Sequence, residues 1–179
     1  NNHLYLINEA EGLSDKYIHA LALTDNGDVL AATDQGINIC KVNGAKKTIE
    51  IIGPKNGLPD YYITAITPAG NNTFWIGMQE KGFCLYNHTT KQITVPTAAR
   101  NWNYGQVNSI LATPNNLWIA TQENSLFKLS DTAKSVINVF AQASDKNNIS
   151  NLLTDNEGNI WMKGTAELIC SSADKLALL

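Results

Sequence analysis

Residues 57–87 read GLPDYYITAITPAGNNTFWIGMQEKGFCLYN: an apolar stretch, a Gly/Asn turn, a short strand centred on tryptophan, a second turn and another apolar strand. The pattern returns three times. Residues 12–42 read GLSDKYIHALALTDNGDVLAATDQGINICKV, residues 102–130 read WNYGQVNSILATPNNLWIATQENSLFKLS, and residues 147–171 read NNISNLLTDNEGNIWMKGTAELICS. The register holds at single positions. Ile18, Ile63, Val107 and Ile149 are 45, 44 and 42 residues apart, and Leu30, Trp75, Trp118 and Trp161 are 45, 43 and 43 apart. Short strands repeating with a period in the forties mark propeller blades, one blade per repeat.

Within each unit the first strand is predicted over 18–23, 63–67, 107–111 and 149–153, and the second over 29–33, 74–78, 117–121 and 160–164. The third falls at 37–42, 83–86, 126–129 and 168–171, and a more polar fourth at 48–52, 92–95 and 136–140. Asn, Asp and Gly tolerate the positive φ of tight hairpins, so Asp25-Asn26-Gly27, Gly70-Asn71-Asn72 and Asn115-Asn116 read as turns by mechanism. The fold expected is an all-β β-propeller of about four four-stranded antiparallel blades over residues 1–179, with repeats near 12–52, 57–95, 102–140 and 147–179. Residues 4–8 resemble the fourth strand of a preceding blade, within 1–11, and 175–179 are a candidate fourth strand for the last blade. Four blades could close on themselves, but loops without adaptation to tight curvature favour a piece of a larger propeller.

One sheet of this size cannot bury both faces alone, so Trp75, Trp118 and Trp161 are expected to fill the gaps between blades. Ala32, Gly77 and Ala120, two residues on, are small enough to let blades approach, and Lys163 breaks that column in the last repeat. His19, Thr64, Asn108 and Ser150 follow the anchor of each first strand and read as a solvated or hydrogen-bonded column.

Composition narrows the function. Charged residues make up 16% and the formal charge is −3, with no basic stripe such as a nucleic-acid binder needs. The one adjacent basic pair, Lys46-Lys47, reads as a solvated turn. No stretch reaches the roughly 18 apolar residues that span a bilayer, and no signal peptide is present. Cys40, Cys84 and Cys170 form no C-x-x-C and no cluster with His3, His19 or His88, so they read as small buried hydrophobes. No residue set calls for a metal or a cofactor.

Asn56-Gly57-Leu58-Pro59-Asp60 with Ile63 and Ile66, then Phe74-Trp75-Ile76-Gly77 with Gly82-Phe83, resembles the two-component regulator propeller repeat. Gly12-Leu13-Ser14-Asp15, Leu117-Trp118-Ile119-Ala120-Thr121 and Asp155-Asn156-Glu157-Gly158-Asn159-Ile160-Trp161 repeat parts of it; the third repeat has Trp102-Asn103-Tyr104 in place of Gly-Leu. The resemblance implies a segment of a seven-bladed periplasmic sensor propeller of a Bacteroides-type hybrid two-component system. It implies as partners an oligosaccharide ligand, the rest of the propeller, an Ig-like domain and a second copy of a membrane-anchored parent. It also places the histidine kinase and response regulator outside this chain.

In a propeller the blade-entry loops and the loops between second and third strands share one face. The entry loops carry Tyr17, Tyr61, Tyr62, Trp102 and Tyr104, and the companion loops carry Gln79 and Gln122. Aromatic faces against sugar C–H surfaces, beside amide groups, suit a neutral carbohydrate; Tyr61, Trp102 and Tyr104 stand outside the repeat columns and are the foremost candidates. Tyr17 and Tyr62 share a column and could equally pack between blades. No catalytic residue is assigned. Asp15, Asp34, Asp60, Glu80 and Glu123 could pair as glycosidase carboxylates, yet all lie in turn-prone loops, and no nucleophile elbow or phosphate loop is present. The alternative is a protein-interaction scaffold without a small ligand.

Overall fold

The computed structural model describes residues 4–44, 46–123, 125–130, 137–139 and 148–176. Alternating apolar residues and turn chemistry give four antiparallel meanders. The first is β1 (Ile18–Leu23), β2 (Val29–Thr33), β3 (Gly36–Asn43) and β4 (Lys46–Ile52); the second is β5 (Ile63–Gly70), β6 (Thr73–Met78), β7 (Phe83–Asn87) and β8 (Ile93–Thr94). The third is β9 (Val107–Ala112), β10 (Asn116–Thr121), β11 (Ser125–Ser130) and β12 (Ile137–Asn138), and the fourth, among the described residues, is β13 (Asn151–Thr154), β14 (Asn159–Lys163) and β15 (Leu168–Ser172). The chain is all-β and propeller-like, with each strand paired to its neighbour in sequence.

Several expectations shift at the edges. Residues 175–179 were expected as a strand; instead α1 (Ala173–Leu176) follows β15, and Leu176 fills the core of the last sheet, while 177–179 lie outside the described residues. Residues 4–8, read as a strand in sequence, have no strand conformation and lead into a short 3-10 turn, Glu9–Glu11, capped by Asn8. The fourth strand expected over 136–140 is described only at Ile137–Asn138. Lys46 and Lys47 begin β4 rather than a turn, and Lys47 Nζ donates to the Leu6 carbonyl at 2.5 Å. Cys40 and Cys84 are buried as expected, burial pushing the Cys84 thiol up to about 12, but Cys170 is exposed.

Each core lies between sheets. Leu30, Ala32, Ile37 and Ile39 meet Ile63, Ile66, Ile76 and Tyr86; Trp75 and Phe83 meet Val107, Ile110 and Ile119; Trp118, Ala120 and Leu126 meet Ile149, Leu152 and Met162. Trp118 is fully buried, Trp75 packs half-buried, and half-buried Trp161 donates its indole N–H to Asp155 at 2.8 Å. That bond and those from Asn159 hold the Asp155 carboxyl down at about 2. The sheets approach where side chains are small: a Cβ on Gly77 would lie 2.7 Å from Val107 Cγ1 and 3.0 Å from Ala65 Cβ. Polar ties cross the same seams. Thr64 and Thr67 donate to the Val107 and Ile110 carbonyls at 2.6 and 2.7 Å, and Asn108 donates to the Ile149 carbonyl at 3.0 Å.

A polar cluster joins the first two sheets beside core residue Tyr86, with Asp28 and His88 buried and Lys41 exposed. Asp28 holds Lys41 at 3.1 Å and His88 at 3.4 Å. Burial and the charge of Lys91 keep His88 below its usual range, against the pull of Asp28. The unfolded chain therefore binds a proton at His88 more readily than the folded one. Stability is full above about pH 6.5, the ordinary imidazole value, and falls as pH drops toward the lower folded value. We expect His88→Gln to flatten that slope in urea titrations between pH 7 and 5. Gly77→Val should cost about 1–3 kcal/mol by overpacking against Val107, read by the same titrations at pH 7.

Candidate functional site

The first strands pack in the order β1, β5, β9, β13 and so line the inside of the array. Entry loops and companion loops are tied together by backbone bonds: Gln79 N–H to the Tyr62 carbonyl at 3.1 Å, Gln122 N–H to the Gln106 carbonyl at 2.9 Å, and Gly36 N–H to the Tyr61 carbonyl at 2.8 Å. Asp60 Oδ2 accepts from Glu80 N–H at 3.0 Å. Both loop sets therefore share one face, and an open cavity of about 310 Å³ sits there, lined by His19, Thr64, Gln106, Asn108, Gln122, Asn148 and Ser150.

All four repeats contribute. His19, Thr64, Asn108 and Ser150 are the repeated column after the strand anchor, read above as solvated or hydrogen-bonded; the curvature of the array turns it into the wall of a cavity. The wall is already ordered. Gln106 Nε2 donates to Asn108 Oδ1 at 3.3 Å, and Asn108 Nδ2 donates to Asn148 Oδ1 at 3.2 Å. His19 Nε2 pairs with Asp34 Oδ1 at 2.6 Å. Among the described residues no hydroxyl or thiol bonds to that imidazole; Ser150 Oγ donates instead to the Lys163 carbonyl at 3.4 Å. Amides, hydroxyls and an imidazole with few formal charges can bracket hydroxyl groups, giving and accepting hydrogen bonds in turn.

Of the residues singled out in sequence, Gln122 lines this cavity. Tyr17, Tyr61, Tyr62 and Tyr104 are exposed, as is Gln79, with Lys16 Nζ 5.0 Å from the Tyr17 ring centre. Trp102 is half-buried between blades. Its ring meets Phe83 and Phe127 edge-on at 5.5 and 5.6 Å, its N–H donates to the Gly105 carbonyl at 2.7 Å, and Gly82, with φ +68°, leaves the room it occupies. Tyr104 leans on Phe127 and Trp102 at 4.6 and 5.0 Å. Trp102 thus stands as a packing residue that carries the Tyr104 ring.

No family model matches the chain, and no curated protein matches it by sequence. Solved structures share its fold. The extracellular domain of one hybrid two-component system of B. thetaiotaomicron superposes with a TM-score of 0.74 at 15% identity, over 96% of this chain and 25% of its own. The extracellular domain of a second such system from the same organism gives 0.67 at 16% identity, over 90% of this chain and 21% of its own. An ancestral GH74 enzyme gives 0.64 at 16% identity, over 86% and 22%. This chain therefore spans about a quarter of the first of them. The fold is common to extracellular domains of two-component systems and to an enzyme, so function rests on the site itself.

If Trp102 is a packing residue, Trp102→Ala should cost about 3 kcal/mol of stability. Tyr61→Ala, at the exposed rim, should stay within about 0.5 kcal/mol. Chemical denaturation of both variants checks the contrast.

Proposed function

We propose that the chain is the ligand-binding blade array of a periplasmic sensor in a hybrid two-component system, taking a neutral oligosaccharide at the axial cavity. The observation that carries this reading is the cavity wall: seven polar side chains from all four repeats, six of them uncharged at any ordinary pH. A sugar presents alternating hydroxyl donors and acceptors that such a wall can match, and the exposed rings of Tyr17, Tyr61, Tyr62 and Tyr104 offer flat apolar surface on blade-entry loops. The B. thetaiotaomicron domains of like fold support the extracellular sensor role. No helix among the described residues is long and apolar enough to cross a membrane.

In this reading the array is one part of a larger propeller, and an Ig-like domain, a membrane anchor and the kinase lie elsewhere in the parent. Signalling needs a ligand that favours one arrangement of a dimer over another, because equal affinity for both shifts nothing. The chain itself does no chemistry. A protein partner is the second reading, favoured by the tyrosine rim, since tyrosine is enriched at protein interfaces.

Titrating a panel of neutral oligosaccharides into the protein and following its melting separates the two. One glycan class should raise stability in a dose-dependent way, by about 2.7 kcal/mol at a hundred times its dissociation constant. Asn108→Ala and Gln122→Ala should each weaken that binding about tenfold, the loss of one or two hydrogen bonds. No stabilising glycan, or full affinity in both variants, removes the sugar from this cavity.

A further inference from the structure

A second cavity lies at the opposite end of the sheets from the axial one. The β1–β2 and β5–β6 turns and the β7–β8 connection all sit at the end of the meanders away from the entry loops. At the seam of the first two sheets they border an open cavity of about 630 Å³. Asn72 holds its frame. Asn71 and Asn72 take left-handed φ values of 51° and 56°. Asn72 Oδ1 accepts from Asp25 N–H at 3.2 Å, its carbonyl accepts from His88 N–H at 2.9 Å, and its Nδ2 donates to Thr89 Oγ1 at 3.2 Å. Both sheets thus fix the cavity before anything enters it.

The charges around it are unequal. Lys41, Lys91 and His88 line the cavity against one carboxylate, Asp25; Asp28 and Glu50, which pair with the two lysines at 3.1 and 3.0 Å, do not line it. An ammonium has three N–H groups, so each lysine keeps donors beyond its ion pair, and their side chains are 45% and 41% exposed. His88 is buried. Its Nε2 lies 3.4 Å from Asp28 Oδ2, and its Nδ1 has no hydrogen-bond partner among the described residues. A cation entering here would meet two ammonium groups. An anion would meet the same two groups and an imidazole with one nitrogen still unmatched.

We propose that this cavity binds a dianionic oxyanion, the phosphate or sulfate group of a small molecule, between Lys41 and Lys91 and against His88. Binding is then coupled to protons. Burial first, then the charges of Lys91 and Lys41, hold His88 below its usual range, against the pull of Asp28. Tyr86 meets the ring edge-on at 6.1 Å and stays neutral, its hydroxyl pushed up to about 12, and Asp25 faces the same cavity. A bound dianion offsets both lysines and accepts from Nδ1, so the imidazole takes up a proton as the anion enters. Affinity therefore rises as pH falls through the higher value of the bound state, and levels off below the value of the free state. The site is separate from the axial cavity and does not depend on what that cavity holds.

Sulfate, which stays a dianion across the range, is the first probe. Sodium sulfate is titrated into the 179-residue chain at constant ionic strength, balanced with sodium chloride, and followed by NMR of the histidine rings, with His88→Gln assigning the His88 signal. Sulfate should shift that signal saturably and raise the pH at which it titrates by about one unit, which makes binding about tenfold tighter at pH 5 than at pH 8. Lys91→Gln, at an exposed ion pair, should weaken binding about tenfold, the loss of one charged hydrogen bond. His88→Gln should bind with the pH 8 affinity at every pH. Inorganic phosphate and a sulfated monosaccharide distinguish the sources. Equal affinity assigns the site to the free ion, and tighter binding of the sulfated sugar assigns it to a ligand whose body meets Asn26 and Asn71. The proposal is overturned by indifference to sulfate beyond chloride, by a shift at His19 instead of His88, by full affinity in Lys91→Gln, or by a pH dependence that survives His88→Gln.

Discussion

The close approach of consecutive sheets governs this structure. A three- or four-stranded sheet has two faces and no way to bury both within itself, so each sheet here depends on the next. The approach is set at one point per seam, where a residue without a bulky side chain meets the anchor of the following first strand. Gly77 against Val107 is one such point, too close for a Cβ. Around that point the large residues follow: Trp118 and Leu30 vanish into the seams, while Thr64, Thr67 and Asn108 reach across to backbone carbonyls that packing alone would leave dry. Packing and polar satisfaction are thus solved by neighbouring positions of one strand.

The same approach creates the site. Because first strands line the inside of the array, the residue after each anchor is pushed toward the axis. One polar residue per repeat, unremarkable in its own place, becomes part of a wall that Gln106, Gln122 and Asn148 complete. The mutual hydrogen bonds of Gln106, Asn108 and Asn148 hold that wall before any ligand arrives, which lowers the ordering that binding must otherwise impose.

How much of this could be read in sequence follows from what repeats. The period, the hairpins and the small column recur in register, so they were legible. The polar column of His19, Thr64, Asn108 and Ser150 was visible too, but its meaning was not, because convergence on an axis is a property of four sheets together. Trp102 breaks the repeat, which suggests a ligand contact; what sequence could not show is that its ring also fills a local space above Gly82, against Phe83 and Phe127. Edges were least legible. Residues 4–8 have strand-like alternation without a partner strand, and Leu176 reaches the last core from a helical turn, since apolar filling there did not require a ladder.

A wall built around one polar residue per repeat also has an evolutionary side. His19 and Ser150 bond only within their own sheets, to Asp34 and the Lys163 carbonyl, whereas Thr64 and Asn108 also bond the Val107 and Ile149 carbonyls across the seams. Duplicated repeats thereby behave like a combination lock in which two of the wheels turn freely and two are geared to the case. Substitutions at the free positions retune what the cavity accepts, while the geared ones are inherited with the fold.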